Sequence, residues 1–309
     1  MSPRAKKHAD GPSGLLLVDK PDGVTSAGVV ARVRRVLGGV RAGHAGTLDP
    51  FATGLLPLCL GEGTKLATYL TDADKTYEGV IRLGIVTDTD DITGTVLQTL
   101  PVGRLAESAL AALRADLSGV IDQVPPVYSA IKRGGRPMYE LARRGEEVEL
   151  EARPVTIHRL QLNFEGTDRL RVSIDCSKGF YVRALARDIG ARLGCGATLE
   201  SLRRCRVGAF RVEDALPLGG VMDDPQGAGR ARAKMIPMLE AIGHLRKVSV
   251  GADDAADLRL GRQQVLVRFG TAETAGERVR IAVGEDLVAV AVAKGRSWEL
   301  ERVFGVASA

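Results

Sequence analysis

The first sustained pattern in the chain is an apolar run from Gly14 to Val18, which reads as a buried strand. Pro21 to Gly23 makes a turn, and Thr25 or Ser26 then caps a helix. Val29, Val30, Val33, Val36 and Leu37 fall on one face of that helix, and Gly38-Gly39 ends it. Tyr77 to Val86 and Thr156 to Phe164 read as strands. Leu170, Val172, Ile174 and Cys176 alternate with Arg171, Ser173 and Asp175, the pattern of a half-buried strand. Ala106 to Leu117 and Tyr181 to Leu193 have helical spacing; in the second, Leu185, Ile189 and Leu193 form an apolar stripe that Gly194 stops. Strands and helices mix without a regular βαβ rhythm. The expected fold class is therefore α+β, a mixed, largely antiparallel sheet flanked by helices.

Gly219 to Arg230 (GGVMDDPQGAGR) reads as loop, and a new strand pattern begins near Val248. Val279, Ile281 and Val283 alternate, Gly284-Glu285-Asp286 turns, and Leu287 to Val292 returns as a hairpin partner. The expected organisation is a basic tail over residues 1–13, a main domain over 14–245 and a small β-rich C-terminal domain over 246–309. The tail is polar and rich in Arg, Lys, Gly and Pro, so it is either simply flexible or touches phosphates.

Composition narrows the class without naming a function. With 45% hydrophobic and 26% charged residues, the 309-residue chain is an ordinary globular protein with length for about two domains. A formal net charge of +5 suits a polyanionic partner and equally suits many metabolic enzymes. Cys59, Cys176, Cys195 and Cys205 have neither CxxC nor zinc-type spacing and read as small buried hydrophobes in a reducing cytoplasm. The start, MSPRAKKHAD, is basic but no apolar signal region follows, and no stretch is apolar for the length a bilayer demands. A soluble, cytoplasmic protein without membrane contact is expected.

Several motifs fail on inspection. Gly61 to Lys65 (GEGTK) lacks the GxxxxGK[ST] spacing of a phosphate loop and reads as a turn and helix start. Asp88, Asp90 and Asp91 suggest a calcium loop until its glycine is sought, because Thr93 stands there and no Glu completes the set. His8, His44, His158 and His244 are too scattered for a metal cluster. No metal is implied.

One segment, GHAGTLDPFATG from Gly43 to Gly54, is neither ordinary helix nor central strand. Pro50 bars the helical conformation for Asp49, while Gly43, Gly46 and Gly54 permit geometries that a side chain would block. The acid is presented from a shaped loop. Extended to Leu56, the segment resembles the catalytic signature of the bacterial tRNA pseudouridine synthases of the B type. The resemblance continues, in the family's order, through GLLLVDKPDGVTS (Gly14 to Ser26), DKTYEGVIRLG (Asp74 to Gly84) and TDTDDITG (Thr87 to Gly94). It runs on through PPVYSAIKRGGRPMYELARRG (Pro125 to Gly145), CSKGFYVRALARDIG (Cys176 to Gly190) and LRRCRVGAF (Leu202 to Phe210). Phe180 departs from the small hydroxyl residue usual before Tyr-x-Arg, which bears on packing beneath the site.

The resemblance implies a pseudouridine synthase fold, a catalytic domain over 14–245 with an RNA-contacting insertion at about 125–150, and no cofactor. In position, residues 246–309 resemble the RNA-binding domain of pseudouridine synthase and archaeosine transglycosylase (PUA) type, with a merely stabilising β-domain as the alternative. Asp49 is implied as the nucleophile, although an Asp before Pro also fixes its own turn. Arg183 is implied as its ion partner, the alternative being a solvated first-turn residue, and Asp91 as a second partner of Arg183, or else a turn residue. Tyr77 is implied to stack on the target base and assist removal of its ring proton; Tyr181 and Leu202 line the same pocket or are ordinary packing. His44 matches the position that fills the gap left by a flipped base, or bonds its own loop. Lys20, Lys65, Lys132, Arg133, Arg136, Arg143 and Arg144 are candidate phosphate contacts, each also readable as a solvated charge.

The function expected from the resemblance is isomerisation of uridine 55 in the TΨC stem-loop of tRNA, with no obligatory protein partner. Two rivals stand beside it: a guide-dependent rRNA pseudouridine synthase, and an RNA-binding tRNA-folding factor whose catalysis is secondary.

Overall fold

The computed structural model describes residues 11–127, 132–133, 136–137 and 150–305. Strand β1 (Gly14–Lys20) is buried along almost its whole length, as an unbroken apolar run demands of a strand covered on both faces. It pairs antiparallel with β3 (Thr53–Leu60), from Gly14 opposite Leu60 to Lys20 opposite Gly54. On its other side lies the short parallel strand β14 (Leu216–Pro217). Beyond β3 the sheet continues through β12 (Ala197–Val207), β4 (Lys75–Leu83), β11 (Arg169–Cys176), β10 (Arg153–Phe164) and β7 (Gly119–Gln123). β2 (Ala42–His44) hangs on β3, and β13 (Phe210–Arg211) on β12. Among the described residues only the β1–β14 and β3–β12 pairings in this sheet are parallel, so it is mixed and largely antiparallel, as the pattern indicated.

Helix α1 (Ser26–Val36) and helix α4 (Val182–Leu193) cover one face of the sheet. Val29 and Val33 of α1, and Leu185 and Ile189 of α4, enter one core with Leu16, Leu58, Ile81 and Leu199. Helices α2 (Ala67–Thr71) and α3 (Glu107–Asp116) lie between them in sequence. Thr25 is the residue that caps α1, accepting from Gly28 N; Ser26 is instead bonded to both backbone groups of Leu48, at 2.8 and 2.9 Å. The start of α1 is thereby fastened to the loop that carries Asp49.

A second sheet, β15 (Arg246–Ser249), β16 (Arg278–Val283), β17 (Asp286–Lys294) and β18 (Ser297–Val303), closes the chain. It shares a core with the first. The period-2 alternation of β1 sends Leu16 and Val18 to one side and Leu15 and Leu17 to the other, where they meet Leu55, Tyr69, Ile242, Leu287, Val290 and Phe304. Each such buried aliphatic stabilises by about 1.5–3 kcal/mol, so removal of residues 246–309 would strip part of the main domain's own core. Lys65 belongs to this junction: its Nζ donates to Val303 O at 3.0 Å, pairs with Glu62 and lies 5.9 Å from the Phe304 ring.

Two pattern readings also change. The run from Tyr77 to Val86 is broken at Gly84, whose φ of +82° and close approach to Leu100 O admit no other residue without strain. After it, β5 (Ile85–Thr87) leaves the main sheet and forms a hairpin with β6 (Val96–Thr99). The segment Gly219 to Arg230 is not loop but mostly two short helices, α5 (Leu218–Met222) and α6 (Gly227–Ala233). Leu218, Val221 and Ala231 are buried, and Gly227 lets α6 start against the carbonyl of Val221. Tertiary packing overrides the local preference of a glycine-rich sequence there.

Candidate active site

The loop between β2 and β3 holds Asp49 in place through buried polar side chains. Gly46 and Gly54 have φ of +101° and +102°, and a side chain at Gly54 would strike the backbone of Arg204. A loop shaped this way leaves carbonyls that need donors, and three side chains supply them. Ser26 takes Leu48, as above. Lys20, fully buried, donates from Nζ to Pro21 O, Val24 O and Pro50 O at 2.9, 2.7 and 2.9 Å. Arg204, also buried, donates to Leu55 O at 2.8 Å, Gly46 O at 3.1 Å and Thr47 O at 3.3 Å.

This arrangement corrects the expectation for Lys20. An ammonium has three donors, and all three are taken by carbonyls beneath the loop, so Lys20 braces Asp49's neighbour Pro50 and does not face a ligand. Burial pushes its pKa down to about 8, opposed by Asp22 and Asp49.

Arg183, in the first turn of α4, meets the loop from the opposite side. Its Nε lies 2.9 Å from Asp49 Oδ2, its Nη1 donates to Thr89 O at 2.9 Å, and its Nη1 lies 3.6 Å from Asp91 Oδ2. The Arg183 and Asp91 side chains are 5% and 6% exposed, against 35% for Asp49. Of these three side chains, Asp49 is the one that opens to solvent. Burial holds the Asp49 carboxyl above its ordinary range; Arg183 opposes that shift and Asp91 adds to it. An acid so placed is a weakly solvated carboxylate, suited to nucleophilic attack or proton transfer.

The chain from Thr87 to Asp91 is shaped for this purpose. Asp90 has φ of +60°, and its carboxylate is held by Arg187 Nη1 at 3.0 Å, one helical turn beyond Arg183. Its flanking residues then supply both the carbonyl of Thr89 and the carboxylate of Asp91 to Arg183.

A cavity of about 510 Å³ opens over these groups. Asp49, Tyr77, Tyr181, Arg183 and Leu202 all line it, with Phe180, Val155, Lys75 and Arg204. Sequence reading thus named five residues that the fold brings to one pocket. Phe180 is buried and contributes apolar wall. Asp91 sits behind Arg183 and does not line the cavity; Lys20 lies under the loop. His44 stands at the end of β2, paired in register with Leu58, and is also outside the lining. Among the described residues its buried Nδ1 has no partner, and burial with the nearby charge of Arg204 lowers its pKa, which favours the neutral ring.

The sequence reading passed over Arg204, Gln123 and Lys75. Gln123, buried at the end of β7, accepts from Tyr181 N at 2.9 Å and donates to Tyr181 O at 3.1 Å, fixing the residue that begins α4. No sequence signal pointed to that amide. Arg204 did leave one: it shares the inward parity of Leu202 on β12. Of the remaining phosphate candidates, Lys132, Arg133 and Arg136 lie in two short paired strands, β8 (Lys132–Arg133) and β9 (Arg136–Pro137). Arg143, Arg144 and most of the 125–150 insertion lie outside the described residues. Among the described residues no group of His, Cys, Asp or Glu is arranged to hold a metal ion, and no helix is long and apolar enough to cross a membrane.

Comparison with known proteins matches residues 34–182 to the N-terminal domain of the TruB family of pseudouridylate synthases. Residues 183–234 match the C-terminal domain of tRNA pseudouridylate synthase B. A protein of Aromatoleum aromaticum named tRNA pseudouridine synthase B is 50% identical over 250 residues, 81% of this chain and 80% of the relative. The protein of the same name from Dechloromonas aromatica is 44% identical over 285 residues, 91% of this chain and 93% of its own. Among solved structures, a chain in the crystal structure of a Cbf5-Nop10-Gar1 complex superposes with a TM-score of 0.72 at 25% identity, covering 95% of this chain and 85% of that one.

Proposed function

The chain belongs to the TruB family of pseudouridylate synthases, and we propose that it isomerises uridine 55 in the TΨC stem-loop of tRNA with Asp49 as the nucleophile. It is a tRNA pseudouridine synthase, an isomerase whose reaction has no net redox change and so needs no redox cofactor. The observation that carries the assignment of Asp49 is its position: the solvent-facing end of a buried charge network, on the wall of a cavity large enough for one base.

The reaction detaches uracil from C1′, turns it and rejoins it through C5. The Asp49 carboxylate adds to the nucleotide and leaves again, dividing one difficult exchange into easier steps. Arg183 keeps that carboxylate charged and oriented through a planar fork, which a point charge cannot reproduce. The ring of Tyr77 stacks on the base, its oxygen receives the C5 proton, and Tyr181, Leu202 and Phe180 exclude water.

A base inside folded RNA reaches such a cavity only after extrusion, at a cost of a few kcal/mol. His44, flat and neutral, fills the vacated space. His44→Ala is expected to slow single-turnover modification of folded tRNA, with partial rescue on a substrate whose uridine is already unstacked. Equal loss on both substrates would remove His44 from that role.

The second sheet contributes an RNA grip of PUA type. Because it shares its core with the main domain, point changes test it better than truncation. Lys294 and Arg296 are exposed at the β17–β18 turn. Lys294→Gln and Arg296→Gln are each expected to lower the salt slope of full-length tRNA binding by about 1 if they meet phosphates. Binding of an isolated TΨC stem-loop would be unchanged, and unaltered slopes on full-length tRNA would leave the sheet a stabilising role.

The enzyme acts alone in the cytoplasm on naked tRNA. The deciding experiment incubates the purified chain with an unmodified tRNA transcript, without guide RNA or other protein, and maps pseudouridine by mass spectrometry. Conversion at position 55 is expected. Product only when guide RNA and partner proteins are added would favour the guide-dependent alternative.

A further inference from the structure

We propose that Arg204 is a positioning residue of the reaction, joining the loop that carries Asp49 to the phenol oxygen of Tyr77 through one guanidinium. The inference rests on the reading of Tyr77 given above. Its basis is register: Arg204 of β12 lies directly opposite Tyr77 of β4 and, on its other side, opposite Gly54 of β3. The side chain therefore rises between the two strands that frame the cavity. Neighbours in cross-strand register share a face, and both residues line the cavity.

The donors can be counted. A guanidinium carries five N–H groups and no acceptor. Three bonds run to the carbonyls of Gly46, Thr47 and Leu55, which leaves two N–H groups to serve the phenol of Tyr77, its partner in register. A phenol oxygen that accepts from Arg204 must aim its own proton elsewhere. Among the described residues Arg204 forms no carboxylate ion pair, although it is only 1% exposed. A buried cation satisfied by neutral oxygens keeps its field for what lies nearby: it favours the phenolate of Tyr77 against the larger, opposing effect of burial, and it disfavours the charged forms of His44 and Lys75. The same field meets negative charge wherever the reaction places it on the phenol oxygen.

The proton step balances without any further reagent. The Tyr77 phenol first gives its proton to N1 of the rejoined ring. The C5–H bond then breaks, its electron pair stays in the ring, and the proton passes to the phenolate so formed, which restores the phenol. Arg204 exchanges nothing.

The test uses the full-length enzyme and tRNA carrying deuterium at C5 of uridine 55, in single turnover. Arg204→Lys is expected to lower the rate on the order of 10- to 100-fold, the scale of a lost charge-assisted hydrogen bond, with tRNA affinity retained. It should also raise the deuterium effect, because proton removal becomes slow, and Tyr77→Phe should do the same. In the Tyr77→Phe background, Arg204→Lys should raise the isotope effect no further.

A slower Arg204→Lys enzyme with an unaltered isotope effect, beside a raised effect in Tyr77→Phe, would reduce Arg204 to a loop brace and overturn the proposal. No raised effect in either variant would instead overturn the reading of Tyr77 as proton acceptor, and the link with it. If Arg204→Lys does not fold, nitrogen-15 spectra of arginine-labelled protein decide: a protected guanidinium N–H resonance should move in Tyr77→Phe. An unchanged set of such resonances would overturn the link.

Discussion

Asp49→Asn is expected to abolish pseudouridine formation while leaving tRNA affinity and fold intact. The amide has the carboxylate's size, and its oxygen still accepts from Arg183 Nε, which stands 2.9 Å away. Arg183 also keeps Thr89 O and Asp91, so its charge is not orphaned. What disappears is the nucleophilic charge, and the loss should be on the order of 10⁴-fold or more, the scale of nucleophile deletions. Stability is expected to hold or rise slightly. Burial disfavours the ionised acid in the folded state, so a neutral side chain relieves a cost that function had imposed. Three measurements check this: single-turnover product by mass spectrometry, tRNA affinity by filter binding, and the thermal midpoint. Turnover within tenfold of wild type in a sequence-verified preparation would remove Asp49 from the nucleophile role. The same variant addresses the folding-factor rival, because assistance to tRNA refolding that survives without catalysis is a separate activity.

The elements most legible in the sequence were those whose pattern is local. Alternation along Leu170 to Cys176, the stripe of Leu185 and Ile189, and the cap at Thr25 each follow from residue spacing, and β11, α4 and α1 form where they indicate. What was not legible depended on contact across distance. Gly84 inside an apolar run, and Gly227 inside a polar one, acquire meaning only from Leu100 and Val221, which approach them in the folded chain. The site divides the same way. Asp49 declares itself through Pro50 and the surrounding glycines, and Tyr77, Arg183 and Leu202 through family blocks. Lys20 carried a signal of charge, yet its surroundings turned that charge from ligand contact into loop support. Gln123 is an ordinary polar residue until its amide faces the backbone of Tyr181 across 58 positions of chain.

Arg183→Lys and Arg183→Met should separate the two functions of that guanidinium. In the native site it is 4% exposed and serves Asp49, Thr89 and Asp91 at once. Lysine keeps the charge, but one ammonium on a flexible stem cannot reproduce three directed contacts, so the rate should fall while tRNA binding is nearly unchanged. Methionine removes the charge. Asp49 and Asp91 then lose the cation they share, and breaking a buried pair of this kind costs about 3–5 kcal/mol, so the fall in rate and in stability should be larger. The pH dependence carries the sign. Attack requires ionised Asp49, so activity is lost as pH falls through its raised pKa, which Arg183 lowers and burial and Asp91 raise. With Arg183→Met the lowering contribution is gone and the acid limb of the single-turnover rate must move to higher pH. Arg183→Lys should move it less, because a positive charge remains. Rate–pH profiles of wild type and both variants on one tRNA decide the matter. Near-normal plateau rates in both variants, or a limb that moves to lower pH in Arg183→Met, would mean that Arg183 does not hold the charge of Asp49.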